Sequence, residues 1–399
     1  MANFFIEIGR TGLKRSAGYV YDEFLSSLRG RTGIKTYREM GDNDAVIGGC
    51  LHAIIQILRE MRWSVKTPPE GSEADAKFLE RCMYSMQHSW IDFISDVYSM
   101  LIYGFSLFEQ VFRRDDDGRI VWKKLAFRSQ LSFERWDFDD YGEVVGFWQR
   151  PAPHYREFYI PMSKCIHFRT RSGGRNPEGR SILRNAYRSW FFKKSLEELE
   201  AIGIERDLVG MPVLKMPEGV NPEDDDTKTK SVIASAKKLI ANLRRDEQEG
   251  VLLPYGWELD LLSAPGKKQF DTTSIINRYN KEIAITVLAQ FVMLGMERTG
   301  SYALAREQTD MFYLCLEGWA DAVATTFNRT AVPLLFKMNG ITNRPLPYIV
   351  HTQVRRQSLR DLADYVSRLT SVGALELDEG VKAYLKRYAR LSEYAEVRE

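Results

Sequence analysis

Apolar positions are most regular between Phe270 and Gly295, in FDTTSIINRYNKEIAITVLAQFVMLG. Ile275, Tyr279, Ile283, Val287 and Phe291 recur every four residues and draw one apolar stripe along a helix. Asn277, Arg278, Asn280, Lys281 and Glu282 keep the rest of the first half polar, whereas Ala284, Ile285, Leu288, Val292 and Met293 make the second half apolar all round. Such a helix passes from a wet surface into packed protein. With Asp271 or Thr272 as cap, it runs about 36 Å from Asp271 to Leu294, at about 1.5 Å per residue. Gly295 and Gly300 then frame a polar loop, since glycine accepts the left-handed conformation that ends a helix. A second long helix follows, carrying Leu304, Met311, Leu314 and Leu316, with Pro333 as its expected limit. Two readings of the loop stand side by side: the turn of an αα-hairpin in a core, or a segment displayed on purpose, for instance into a channel.

Upstream, residues 1–40 are basic and weakly periodic, which predicts an extended arm with a short helix near Val20–Leu28. Asp42, Asn43 or Asp44 caps a helix burying Val46, Leu51, Ile54, Ile55 and Leu58, followed by a strand at Trp63–Val65. Helices are predicted near Ala74–Met86 and Trp90–Ile102, the second closed by Gly104, and strands at Phe105–Arg113 and Ile120–Phe127 about the turn Asp117-Gly118. Phe133 to Phe168 is β-rich, with a turn at Asp139–Gly142 and strands near Val144–Arg150, Glu157–Ile160 and Cys165–Arg169. A glycine-rich loop then leads into a long helix, Ser181–Arg206, whose apolar side is Ile182, Leu183, Ala186, Trp190 and Phe191. Arg180, Arg184, Arg188, Lys193 and Lys194 make its first half basic.

Between that helix and the one at Asp271 lies a small unit, Gly210 to Gly266. It reads as a strand (MPVLK), a helix led by Asp224, Asp225 and Asp226, and two strands about the turn Pro254–Gly256, where Tyr255 and Trp257 sit. Acids at a helix start suit its dipole. Beyond Pro333 come a Pro-punctuated connection, GITNRPLPYIVH, and helices at Leu359–Thr370 and Leu377–Leu385.

At 399 residues the chain exceeds one ordinary core. Its 56 Lys and Arg against 54 Asp and Glu argue against a protein that coats nucleic acid through net charge, but allow a channel that DNA crosses without being gripped. Cys50, Cys82, Cys165 and Cys315 are far apart, which fits a reducing compartment and neither a zinc site nor a disulfide framework. The start, MANFFIEIGRTGLKR, lacks a signal-peptide core, and the longest apolar run, Ile283 to Leu294, is too short to span a bilayer. Asp115-Asp116-Asp117-Gly118 lacks the spacing of a calcium loop. His52, His88, His154, His167 and His351 are isolated from one another, and no GxSxG, HExxH or Walker pattern occurs. No enzyme, metal site or cofactor is therefore expected.

Several segments in order, YGFSLFEQVF, IPMSKCIHFR, PEGRSILRNAYRSWFFKK, GMPVLKMPEG and LGMERTGSYALAREQTDMF, resemble recurrent segments of the portal (head–tail connector) proteins of tailed bacteriophages. The match covers roughly Tyr37 to Phe336. The resemblance implies an α+β portal fold: an N-terminal arm (1–40), a wing (41–176), a first stem helix (177–206), a clip (207–268), a second stem helix (269–294), a channel loop (295–303), a long helix returning to the wing (304–346) and a helical crown (347–399). It implies a homomeric ring, usually twelve-fold, at one capsid vertex of the virion. Double-stranded DNA passes through such a ring, and the large terminase subunit, head–tail adaptors, major capsid protein and scaffold protein contact it; no membrane is involved. On that basis Glu297, Arg298, Thr299, Gly300 and Ser301 line the channel, Asp224, Asp225, Asp226, Tyr255 and Trp257 meet partners at the clip, and Arg184, Arg188, Arg278 and Lys281 belong to the stem. The competing readings are a DNA-binding or DNA-modifying enzyme of a mobile element, and another virion subunit such as a capsid or adaptor protein. The missing nucleophile, metal and nucleotide motifs count against the first. The unit inserted between long helices counts against the second.

Overall fold

The structure is a computed structural model that describes residues 9–170, 175–209, 211–215, 227–241, 253, 255–262, 271–287, 302–354 and 359–388. The chain divides into two compact units, one made of Met1–Ala53, Asp96–Glu109 and Phe127–Gln308, the other of Ile54–Ser95, Gln110–Ala126 and Thr309–Glu399.

The first unit opens with a hairpin, β1 (Arg15–Ser16) and β2 (Tyr19–Val20). The expected helix near Val20–Leu28 is absent. A 3-10 turn at Ser26–Leu28 leads instead into α1 (Gly30–Asn43), which runs through the expected arm–wing boundary. Ile34, Tyr37 and Met40 explain it: they fall three residues apart, on one side of α1, and all are buried. In α2 (Ala45–Arg59) the cap is Asp44, whose Oδ1 accepts from the N–H groups of Val46 and Ile47, both at 3.0 Å.

After α5 (Ser99–Tyr103), the first half of β4 (Phe105–Arg114) pairs antiparallel with β9 (Cys165–Arg169). Beside these strands, β6 (Phe133–Phe138), β7 (Val144–Gln149) and β8 (Phe158–Pro161) form an antiparallel meander. Phe105, Phe133, Trp136 and Phe147 fill the core under these strands, with ring centroids 4.6–6.3 Å apart. A second core gathers Tyr37, Met40, Ile47 and Leu51 against Leu183, Ala186 and Trp190, together with Ile283 and Val287. It is built on α6 (Tyr187–Val209) and α8 (Thr272–Thr286). Between α6 and α8 in sequence lie β10 (Met211–Lys215), α7 (Thr227–Ala241) and β11 (Glu258–Leu262), with β10 and β11 paired antiparallel. Of the expected hairpin about Pro254–Gly256, the first strand lies outside the described residues, and the second is β11.

In the second unit, β3 (Trp63–Lys66) pairs with β12 (Tyr348–His351), a strand inside the segment expected to be a plain connection. Around them are α3 (Glu73–Tyr84), α4 (Trp90–Val97) and the hairpin joining β4 to β5 (Ile120–Arg128). Phe327 of α9 (Tyr302–Met338) centres the aromatic packing, 5.3 Å from Trp90 and 5.4 Å from Trp122. The α9 helix continues through Pro333, contrary to expectation. Val332, Leu335 and Phe336 are buried on either side, so packing holds the helical path. Pro333 is exposed, and so is Arg329, whose carbonyl loses its donor. Two C-terminal helices, α10 (Leu359–Ser371) and α11 (Glu379–Tyr388), complete the described chain.

One loop of the first unit is held with little tolerance. Gly104 ends α5 at φ +96°, and Gly179 has φ +58°. A Cβ on Gly179 would lie 2.2 Å from the Gly104 carbonyl oxygen. That oxygen accepts from Thr170 N at 3.0 Å, and His167 Nε2 donates to Pro177 O at 2.8 Å. Gly179→Ala should lower stability by about 1–3 kcal/mol through combined strain and displacement, read as a lower thermal midpoint; an unchanged midpoint would mean that the contact is slack.

In the same loop, burial pushes the Glu178 carboxyl up to about 7, while burial holds the His167 imidazole down at about 3. Glu178 in the folded chain therefore keeps a proton that the unfolded chain releases, and its contribution to stability falls as pH rises from about 4.5 through about 7. His167 acts in the opposite sense, losing stability as pH falls from about 6.5 towards about 3. Glu178→Gln removes only the first dependence. The midpoint of the variant relative to the parent should be higher at pH 8 than at pH 5, and a pH-independent difference would refute the assignment.

Candidate channel and assembly surfaces

Ser181 starts the α6 region, its Oγ accepting from Leu183 N at 3.0 Å over a 3-10 turn, Ile182–Arg184. Asp271 caps α8, with Oδ1 accepting from Ser274 N at 3.2 Å. The predicted stripe is present in the described half of that helix: Ile283 and Val287 are buried, and Ile275 and Tyr279 are partly so. Residues 288–294 of the expected helix lie outside the described residues.

The two helices run antiparallel. Ser189 Oγ donates to Glu282 Oε2 at 2.6 Å, and eleven residues further along α6 Glu200 accepts from the Thr272 hydroxyl. Beside the first contact is a notch lined by Arg188, Ser189, Phe192, Arg278, Tyr279 and Glu282, about 510 Å³ in volume. In it Arg188 lies over the Phe192 ring at 5.8 Å and Arg278 over Tyr279 at 4.9 Å, with Arg278 also 3.9 Å from Glu282. The exposed positions of α8 are polar for most of its length: Asp271, Ser274, Asn277, Arg278, Lys281 and Glu282.

The basic half of the α6 region is less available than its sequence implied. Arg184 makes a two-bond pair with Glu23, at 2.5 and 2.9 Å, and lies over Phe24 at 5.1 Å. Burial raises the Glu23 carboxyl, but the Arg184 hydrogen bonds outweigh it and leave the group below the usual carboxylate range. Lys193 is buried, its Nζ 2.9 Å from Asp44 Oδ2, and Lys194 meets Glu39 at 2.6 Å. Phe191 also departs from expectation: the sequence places it on the apolar side, yet it is exposed, about 100° round α6 from the buried Trp190.

Of the residues assigned to the clip, Tyr255 is fully exposed and Trp257 partly so. Asp224, Asp225 and Asp226 lie outside the described residues, as do Glu297, Arg298, Thr299, Gly300 and Ser301. The stem residues Arg188 and Arg278 come together in the notch, while Lys281 sits on the exposed face of α8. Sequence reasoning missed Glu23 and Lys193 as pairing partners, because their ion pairs join residues 161 and 149 positions apart.

Asp115 and Asp117, from the acidic run with some likeness to a calcium loop, both bind Arg81, at 2.8 and 3.0 Å. Among the described residues, no group of three or more His, Cys, Asp or Glu is placed to hold a metal ion, and no helix is long and apolar enough to cross a membrane.

A profile of the family described as "Portal protein of Mu bacteriophage" matches residues 34–388. Among solved structures, the chain resembles a protein in the neck of an empty gene transfer agent particle, at 12% identity and TM-score 0.53, over 88% of this chain and 93% of that one. A chain in the neck of the native particle, computed with C12 symmetry, gives 12% identity and TM-score 0.52 over 88% and 93%. A chain of the native gene transfer agent virion gives 11% and 0.52 over 88% and 92%. At these identities the likeness is one of fold, and the profile match over most of the length decides the family. The chain belongs to the family of the portal protein of Mu bacteriophage, and it is a portal protein, a structural component of the virion.

Proposed function

We propose that the chain forms a closed ring of identical subunits, twelve in number, at one capsid vertex, and that DNA enters and leaves the particle through its centre. α6 and α8 form the stem of each subunit, and β10, α7 and β11 form a clip that meets the large terminase subunit during packaging and adaptor proteins afterwards. Residues 41–176 and 304–346 make the wing, and the helices beyond residue 347 the crown, where capsid and scaffold proteins are near. The observation that carries the reading is the small strand–helix–strand unit inserted between two antiparallel helices, in a chain of this family. The C12 symmetry of the similar neck chain supports the subunit number. The exposed polar face of α8, with Ser274, Asn277 and Lys281, suits a water-filled channel. ATP hydrolysis belongs to the terminase in this scheme.

Electron microscopy of the purified protein tests the ring. Particles with rotational symmetry and a central hole are expected, and a strict monomer at high concentration would sink the proposal. Rings carrying charge reversals at Asp224, Asp225 and Asp226 should still form but bind terminase or adaptor more weakly. Unchanged binding would reduce these acids to a helix cap.

Arg298 is assigned to the grip or retention of packaged DNA. It stands between Glu297 and Thr299, so the local charge is near zero and contact with passing phosphates is brief. Arg298→Ala should leave ring formation intact and reduce packaging or retention of DNA in filled heads. Loss of the ring would make Arg298 a structural ion-pair partner, and normal packaging and retention would remove it from the channel mechanism.

A further inference from the structure

A cleft in the first unit carries chemistry that the channel does not use. It is about 540 Å³ in volume, a size typical of ligand pockets. Its walls come from residues 22–37, from the end of α5 and the start of β4, and from the loop that runs from Asn176 to the Ser181 cap. All of these belong to the first unit. Phe24, Leu28, Ile34, Phe105 and Phe133 make much of the lining apolar. Among them stand three acids and two bases: Asp22, Glu23 and Glu178 against Arg180 and Arg184. Glu23 is committed to Arg184, and Arg180 donates to Asn185 Oδ1 at 2.8 Å. Asp22 and Glu178 remain, and among the described residues neither is in an ion pair. Asp22 is exposed and accepts from Asn176 Nδ2 at 3.4 Å. Glu178 has the Trp136 indole beside it, but that N–H makes no well-formed hydrogen bond. Tyr37 also faces the cleft; it is 7% exposed, and its hydroxyl has no hydrogen-bond partner among the described residues. Buried polar groups are normally paired, and a carboxylate in an apolar wall is costly without a cation.

We propose that this cleft receives the arginine side chain of a partner protein, presented on an extended segment beside an apolar residue. A third guanidinium balances the three acids of the lining. It donates to Asp22 and Glu178, and the Tyr37 hydroxyl accepts from it. A guanidinium suits the cleft better than an ammonium, because its donors spread in one plane and it stacks on aromatic rings. Arg184 already does this in the same wall, between Glu23 and the Phe24 ring. A metal ion does not suit it, since no group of three or more His, Cys, Asp or Glu among the described residues is placed to hold one. The aromatic lining also continues beyond the cleft: Phe24 is 75% exposed and Tyr21, next to Asp22 in the chain, is 44% exposed. Exposed aromatic residues beside a desolvated polar anchor are the composition of a protein contact, not of a pocket for a free cation. Every wall lies in one unit, so the inference stands apart from the ring reading.

The test is calorimetric titration of the full-length chain with acetyl-phenylalanyl-arginine amide, with the same dipeptide carrying neutral citrulline, and with spermidine. The arginine dipeptide should bind saturably, and the citrulline dipeptide about tenfold more weakly, the worth of a hydrogen bond to a charged group. Glu178→Gln and Asp22→Asn, each checked for parental circular dichroism, should weaken the arginine dipeptide by a similar factor. Burial raises the Glu178 carboxyl to about 7, so the parent should bind several times more tightly at pH 8 than at pH 6. Glu178→Gln should lose that dependence, which separates Glu178 from the titratable groups around it, Asp22, Glu23, Tyr37, His167, Arg180 and Arg184. If Glu178→Gln does not fold, Asp22→Asn decides. Equal binding of the arginine and citrulline dipeptides, no binding, or binding unchanged in the folded variants overturns the proposal. Tighter binding of spermidine overturns the assignment to a protein arginine. A cleft open in single subunits but closed in the assembled protein would belong to another copy of the chain, and would overturn it as well.

Discussion

The placement of α6 in the first unit depends on a buried ion pair. Lys193, in the middle of α6, lies 2.9 Å from Asp44, with side chains only 6% and 4% exposed. Taking two charges out of water is expensive, and their mutual attraction offsets the cost only when the remaining valences are filled. Here they are. Asp44 accepts from two backbone N–H groups at the start of α2, where the helix dipole also favours an anion. Removing either partner would leave a buried charge alone, a loss of about 3–5 kcal/mol. Because the pair demands one geometry, it sets the rotation of α6 about its own axis. Trp190, one turn away, then enters the core, and Phe191 and Phe192 face outward.

The rotation of α6 in turn constrains its partners in the first unit. The inner side packs with Ile283 and Val287 of α8, the Ser189–Glu282 bond sets the height of the two helices, and the inserted β10–α7–β11 unit departs from their far ends. The loop pinned by Gly104 and His167 leads into the start of the same helix through the Ser181 cap. The contacts of α6 with its own unit combine an apolar core around Trp190 with long-range ion pairs at Lys193 and Lys194, while Phe191, Phe192, Leu199 and Ile202 stay exposed. That distribution suits a subunit completed by its neighbours better than one that ends at its own surface.

Much of this is legible in the sequence, and the failures have specific causes. The four-residue stripe of α8 and its Asp271 cap are local signals; the cap is present, and so is the stripe as far as Val287, where the described residues of the helix end. Strand positions from Phe105 to Arg169 are close to those expected because alternation and turn residues such as Gly118 and Gly142 are local too. Three expectations fail where tertiary packing overrides local preference. Pro333 does not stop α9, because buried neighbours hold the helix and its missing bond falls on the exposed side. The arm hides α1, whose spacing of Ile34, Tyr37 and Met40 is sparse among charged residues. The strand at Tyr348–His351 is unreadable without its partner at Trp63–Lys66, nearly three hundred residues earlier. Phe191 is a different kind of error: in a helix apolar on two sides, composition does not reveal which side is inside.

The same pairing bears on how the proposed stem would surround DNA. Three cations of α6 and its lead-in turn have acidic partners: Arg184 with Glu23, Lys193 with Asp44 and Lys194 with Glu39, while Arg188 lies over the Phe192 ring. On α8, Arg278 is close to Glu282 and lies over an aromatic ring. Each cation that engaged a phosphate directly would release counterions and add salt-dependent affinity, and a dozen copies would multiply the effect into a brake. Cations committed to carboxylates add less to that attraction, while the exposed polar side chains of α8 still offer hydrogen bonds to a hydrated backbone. Near balance in the whole chain, 56 basic against 54 acidic residues, has the same sense at larger scale. In the proposed channel, DNA would have to be held under load and yet slide, and cations paired with carboxylates would keep the attraction to its phosphates weak.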